Sequence, residues 1–165
     1  MPTKTNELRT ELQQGRPFHS PAHEALVSIL RTAAVVQRHL SQVVEASGVT
    51  AQQYNVLRIL RGAGPDGLPT LAIRDRMIEE AAGITRLLDK LEAAGYVVRE
   101  RSTPDRRQVV CRITDSGLAV LHALDTPVDN VHVMALEHLS DAEQRQLIDL
   151  LGAIRAAYSG RTKGE

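Results

Sequence analysis

The stretch Gly83–Gly117, GITRLLDKLEAAGYVVRERSTPDRRQVVCRITDSG, carries a helix, a turn and two strands in direct succession. Ile84, Leu87, Leu88 and Leu91 fall at i, i+3, i+4 and i+7, one apolar stripe, and predict a helix from about Ala82 to Ala94 that ends at Gly95. Its opposite face shows Ala82, Arg86, Asp89 and Ala93, flanked by Thr85 and Lys90. The runs YVVRER and QVVCRI are rich in β-branched residues and flank the turn STPDRR, the pattern of a β-hairpin. In the second run Val109, Cys111 and Ile113 alternate to one side, Val110 and Arg112 to the other. Arginines 99, 101, 106, 107 and 112 therefore crowd directly behind an amphipathic helix.

That crowding stands out because the whole chain is neutral, with 20 Lys and Arg against 20 Asp and Glu in 165 residues. From Arg58 to Arg112 there are eleven basic against eight acidic residues, an excess of +3 that the rest of the chain cancels. Phosphate contacts require local positive potential, not a basic protein, so the segregation points toward nucleic acid; a solvated surface of mixed charge gives the same count. A hydrophobic content of 42% suits one globular domain with a real core. The aromatic residues are Phe18, Tyr54, Tyr96 and Tyr158, so that core must be built from Leu, Ile, Val and Ala, which favours helix on helix. No apolar run approaches the ~18 residues of a membrane span, and the polar start MPTKTNELRTELQQGRPFHS lacks the apolar segment of a signal peptide, so a cytoplasmic protein without membrane contact is expected. Cys111 stands alone, which excludes an internal disulfide and a multi-cysteine metal site.

Outward from the central stretch, the chain reads as helices. Residues 1 to about 18 are expected to form a loosely ordered arm. Ser20-Pro21 opens a long helix, with serine as N-cap and proline in the first turn, which Leu26, Leu30, Ala33, Leu40 and Val44 follow until Ser47-Gly48. Thr50 and Gln53 form a capping-box pattern for a second helix near 51 to 62, stopped by GAGPDGLP. A short third helix carries LAIRDRMI. After Thr114, Leu121, Leu124, Val128, Val131 and Ala135 keep the alternating spacing of a helix that packs along a partner helix, and Pro127 should bend or divide it. Ser140 and Glu143 form a second capping box before a last helix whose Leu147, Leu151, Ile154 and Tyr158 share a face.

Helix, turn, helix, hairpin is the order of a winged helix-turn-helix, in which the second helix of the pair enters the major groove and the hairpin touches the backbone beside it. The segment TLAIRDRM through ITRLLDKLEAAGYVVRERSTPDRRQVVCRITDSG resembles the MarR family of bacterial transcription regulators, with TRLLDKLEAAGYV similar to its recognition helix and DRRQVVCRITDSG to its wing. The resemblance covers about residues 20 to 158 and is strongest between 71 and 117. It implies a mainly α fold with a small β-hairpin wing: a single domain over 1–165, with a DNA-binding head at about 50–117 and helical dimerisation regions at about 18–47 and 118–158. It makes Thr85 and Arg86 recognition-helix contacts, and Asp105 and Arg107 the pair that shapes the wing and sets its arginine against DNA.

The chemistry of the residues agrees. Arg86, opposite the apolar stripe, can present a guanidinium fork to guanine or phosphate, and Lys90 lies on the same side. Asp105 can hold a neighbouring arginine by a charge-assisted bond, leaving Arg106 or Arg107 at the tip for a phosphate or a minor groove. Asp89, one turn beyond Arg86, is placed to orient it. One departure from the family pattern is MIEEAAG: where a glycine turn and a Ser or Thr cap are usual, Glu79 and Glu80 stand, carboxylates that favour a helix N-terminus but repel phosphate.

The expected function is that of a homodimeric, sequence-specific regulator on double-stranded DNA with a palindromic operator, a repressor released by a small-molecule effector. The resemblance places such effectors between the dimer core and the DNA head, and nothing in the sequence identifies the ligand. The other reading is a winged helix used for DNA architecture or protein interaction without specific operator recognition. His19 and His23 have i, i+4 spacing, but Pro21 lies between them and no carboxylate or cysteine cluster completes a metal site. Cys111 is expected as a packed small hydrophobe. Without a Gly-rich phosphate loop, a nucleophile elbow or a carboxylate pair, neither catalysis nor a cofactor is expected.

Overall fold

Tyr96 and Gly117 meet where the Gly83–Gly117 stretch ends, and the contact fixes three elements at once. The computed structural model describes residues 4–79, 83–101 and 108–159. Helix α5 (Ile84–Ala93) is stopped by Gly95, whose φ of +74° is the left-handed conformation that glycine adopts without cost. Strand β2 (Val97–Arg101) then leaves, and β3 (Val109–Ile113) returns antiparallel to it, with Val97 opposite Ile113 and Arg99 opposite Cys111. The Thr114 amide donates to the Tyr96 carbonyl at 3.0 Å, and its hydroxyl donates to the Gly95 carbonyl at 2.7 Å while accepting from the Gly117 amide at 3.1 Å. Thr114 is thus the N-cap of α6 (Asp115–Leu136) and a tie to the end of α5. A side chain at Gly117 would overlap the Tyr96 carbonyl oxygen and come within 2.8 Å of Ile113.

The remaining elements build around this node. Helix α1 spans Lys4–Glu11, α2 Pro21–Glu45, α3 Ala51–Ala63, α4 Thr70–Arg74 and α7 Asp141–Ser159. Ser20 caps α2 by accepting from the His23 amide at 3.2 Å. The capping box of α3 is complete: Gln53 accepts from the Thr50 amide at 2.8 Å and Thr50 accepts from the Gln53 amide at 3.2 Å. The Ser140–Glu143 box closes in the same way at α7. Between α3 and α4 a single 3-10 turn (Gly64–Asp66) leads into β1 (Leu68–Pro69), which pairs with the free edge of β3, Leu68 opposite Cys111. The sheet has the order β1-β3-β2, with Cys111 at its centre.

The core is apolar and aliphatic: Leu57 and Leu60 from α3, Ile73 from α4, Leu88 and Leu91 from α5, Val97 and Cys111 from the sheet, Leu121, Leu124 and Val128 from α6. Each buried leucine of α5 contributes roughly 1.5–3 kcal/mol to holding the helix on the head.

The structure corrects two expectations and, at Pro127, removes one of two alternatives. The N-terminal arm contains α1, tied to α2 by Arg31 Nε donating to Glu11 at 2.7 Å; a short polar helix held from outside has no apolar stripe to announce it. Helix α6 runs through Pro127 without division. Pro127 and Ala123, whose carbonyl loses its donor, both face solvent, so the carbonyl is open to hydration. Leu121, Leu124 and Val128 are buried within the chain itself, chiefly against α2 and α3, so this part of the alternating stripe is not available to a partner subunit.

Because Gly117 faces a carbonyl that cannot retreat, Gly117→Ala is expected to lower stability by about 1–3 kcal/mol in urea denaturation. Gly62→Ala, with nothing within 4 Å of the new methyl, should raise it by about 0.5 kcal/mol.

Candidate nucleic-acid interface

Helix α5 divides as its sequence period requires. Ile84, Leu88 and Leu91 are buried, Leu87 is half-buried, and Thr85, Arg86, Asp89, Lys90 and Ala93 face solvent. The side chains of Thr85, Arg86 and Lys90 make no hydrogen bond or ion pair with the described residues, so two cations and a hydroxyl stand free on one exposed surface. Gly83 begins the helix without a side-chain cap, which leaves the first-turn amides of α5 without a side-chain acceptor there.

The arginines behind the helix separate into two kinds. Arg99 turns back from β2 onto α5: its Nη2 lies 2.6 Å from Asp89 Oδ1 and 2.6 Å from Glu92 Oε2, and its Nε donates to the same Glu92 oxygen at 2.9 Å. The Arg99 hydrogen bond holds the Glu92 carboxyl below the usual carboxylate range, and the Glu92 and Asp89 carboxylates raise the guanidinium further. Arg112 bonds across the hairpin to Glu100 at 2.7 Å and to the Pro65 carbonyl at 3.0 Å. Arg101 is exposed. Asp105, Arg106 and Arg107 lie outside the described residues. Asp89 is paired with Arg99 and makes no bond to Arg86, contrary to the orienting role expected from its spacing; a carboxylate one turn away on the helix loses to a guanidinium delivered from a strand. Sequence reasoning missed both braces, because Glu92–Arg99 spans a turn and a change of element that no helical or strand period connects.

Of the two acidic residues before α5, Glu79 accepts a hydrogen bond from Gln37 of α2, and Glu80 lies outside the described residues. Beside it the Ile78 amide donates to Asn55 Oδ1 at 3.0 Å, which fixes the approach to the recognition segment on α3. Behind this loop is a cavity of about 90 Å³ lined by Leu40, Tyr54, Asn55, Arg58, Met77 and Glu79. The Arg58 guanidinium stacks 5.8 Å from the Tyr54 ring centre, and burial raises the Tyr54 hydroxyl above its ordinary pKa. The rings of His19 and His23 lie 4.2 Å apart, and among the described residues no three His, Cys, Asp or Glu side chains converge as metal ligands. No helix among them is long and apolar enough to cross a membrane.

With this geometry, the chain can be set beside known proteins. A model of the MarR family matches residues 47–108. A MarR transcription factor from Planctomyces limnophilus is 38% identical in its crystal structure, which covers 82% of this chain and 98% of its own at a TM-score of 0.64. The HTH-type transcriptional regulator YkoM of Bacillus subtilis (strain 168) is 32% identical over 117 residues, 70% of this chain and 74% of its own. The chain belongs to the MarR family. In MarR terms α5 is the recognition helix and β2–β3 the wing, and the protein is a DNA-binding transcriptional regulator of the winged helix-turn-helix class. A further MarR-like structure, the PcaV transcriptional regulator from Streptomyces coelicolor in complex with its natural ligand, is 25% identical, covers 86% of this chain and 95% of its own, and has a TM-score of 0.66.

Cys111 is fully buried beneath this surface, 3.9 Å from the Thr70 hydroxyl, and burial pushes its thiol pKa up. Little thiolate is present at neutral pH, so a disulfide reagent such as DTNB should react only when the head opens. The reaction rate in increasing urea is expected to track unfolding; prompt labelling in native buffer would contradict the packed position.

Proposed function

We propose that this regulator is a homodimeric repressor that reads a palindromic site with two recognition helices and leaves it when a small molecule binds. The observation that carries the reading is the exposed face of α5, where Thr85, Arg86 and Lys90 have no partner among the described residues while the opposite stripe is buried. Arg86 reads a base edge through its two-pronged guanidinium, and Lys90 adds a phosphate contact from the next turn. At the wing, Asp105 orders the turn and Arg106 and Arg107 approach the backbone or minor groove. The work is done on DNA, hence in the cytoplasm, and binding rather than catalysis is the activity.

Dimerisation is supported by the apolar side chains the chain leaves uncovered. Leu147, Ile148, Leu150, Ile154 and Tyr158 line α7, and Val133 and Met134 lie at the end of α6, all exposed. An aliphatic strip of this extent, on α7 and on the end of α6 beyond its buried part, suits a second copy of the same strip. Effector release is supported by the Tyr54–Arg58 cavity, set between α2, α3 and Met77–Glu79, where an occupant would touch the segment that leads toward the recognition helix.

Selection of binding sites from random DNA tests the central claim. The wild type should enrich a palindrome, and Arg86→Ala should lose ~1–3 kcal/mol on it with relaxed preference at one base pair per half-site. Arg107→Ala should weaken all sequences alike and flatten the log affinity against log salt plot by about one unit per wing. Enrichment of no palindrome would favour a winged helix serving DNA architecture. Separately, truncation after Leu139 removes α7 and should abolish the dimer in sedimentation; a soluble truncated dimer that still binds the site would refute the assigned interface.

A further inference from the structure

We propose that Arg99 is a positioning residue that braces the wing against the recognition helix through Asp89 and Glu92, so that helix and wing meet DNA as one rigid unit. The inference rests on the DNA-reading role of α5 but adds a residue to which the family pattern gave no part. Strand β2 is anchored at its root by the buried Val97, and from Val98 to Arg101 it rises into solvent. Within that rising segment Arg99 alone turns inward, its side chain 22% exposed against 55% for Asp89 and 40% for Glu92. Among the described residues no other ion pair joins the wing to α5.

The geometry separates a brace from a DNA contact. Two of the guanidinium nitrogens are already bonded to carboxylates, and Glu92 receives a two-pronged contact from Nε and Nη2 at 2.9 and 2.6 Å. A guanidinium so engaged has little left to offer a phosphate. Asp89 and Glu92 lie one turn apart on the same helix, so one planar fork spans both and fixes the direction in which β2 leaves. Arg112 secures the opposite side of the hairpin on the Pro65 carbonyl. Without Arg99 the hairpin would pivot about its root.

The proposal makes a prediction opposite in sign to simple electrostatics. Removing carboxylates beside DNA would by itself tighten binding, yet Asp89→Asn/Glu92→Gln should weaken the full-length protein on its selected site, by ~10-fold, with the salt slope unchanged. Arg99→Gln should do the same, and the triple variant should be no weaker than either, because all remove one interaction. Arg99→Lys, which can satisfy only one carboxylate, should recover part of the loss. In the free protein, amide exchange across Val97–Arg101 and the last turn of α5 should rise in each variant while α3 stays protected. Tighter binding of the double carboxylate variant, or unchanged exchange in β2, would overturn the brace. Additive losses with a salt slope reduced by about one per Arg99 would instead make it a phosphate contact. The exchange measurement decides on the brace even if no palindrome is selected, so that its failure is distinct from failure of the operator reading.

Discussion

Everything the head does depends on a carbonyl oxygen that two residues approach closely. The Tyr96 carbonyl accepts the Thr114 amide and faces Gly117, so the end of the recognition helix, the root of the wing and the start of α6 are joined at one point. The left-handed Gly95 lets the chain turn sharply enough to reach it, and the Thr114 hydroxyl closes the junction by bonding the Gly95 carbonyl. A small aliphatic core could hold these elements together loosely. The junction fixes their angles, because backbone hydrogen bonds and a missing Cβ tolerate less displacement than leucine packing does.

On that frame the charges sort themselves. In a chain with no net charge, several arginines are bound internally while two cations of α5 face outward. Arg99 is shared by Asp89 and Glu92, Arg112 by Glu100 and the Pro65 carbonyl, Arg61 by Asp125 at 2.9 Å. What is left outward on α5 is Arg86 and Lys90. The excess of +3 read over residues 58 to 112 is unchanged by this pairing, since the three arginines that act as struts take Asp89, Glu92 and Glu100 out of the same count.

The sequence spoke clearly where structure is made by neighbours along the chain. The apolar stripe of α5, the Thr50–Gln53 and Ser140–Glu143 boxes, the Ser20-Pro21 start and the hairpin all rest on residues within a turn or two of one another, and each was legible. Silence fell where the deciding partner is remote. The polar α1 is secured by Arg31, twenty residues beyond Glu11. β1 is two residues long, one of them proline, and exists because β3 offers it an edge. Spacing indicated that Leu121, Leu124 and Val128 pack along another helix, and the family resemblance suggested a partner subunit's, because a helical stripe records that something packs on it but not whose chain supplies the surface. Arg86 and Lys90 were identifiable as outward-facing residues from the period of α5, whereas the assignment of Asp89 to Arg86 failed because it weighed only neighbours on the same helix.

The two faces of α5 have different obligations, and this bears on how such a regulator diverges. Leu88 and Leu91 are committed to the core, so changes there unfold the head before they alter its choice of DNA. Thr85 and Arg86 hold nothing in place within the described structure. On the proposed reading of these residues as base contacts, a single codon change at either site leaves folding intact while redirecting which DNA is bound. Duplicated genes of this architecture can therefore part company in their targets without first passing through an unstable intermediate.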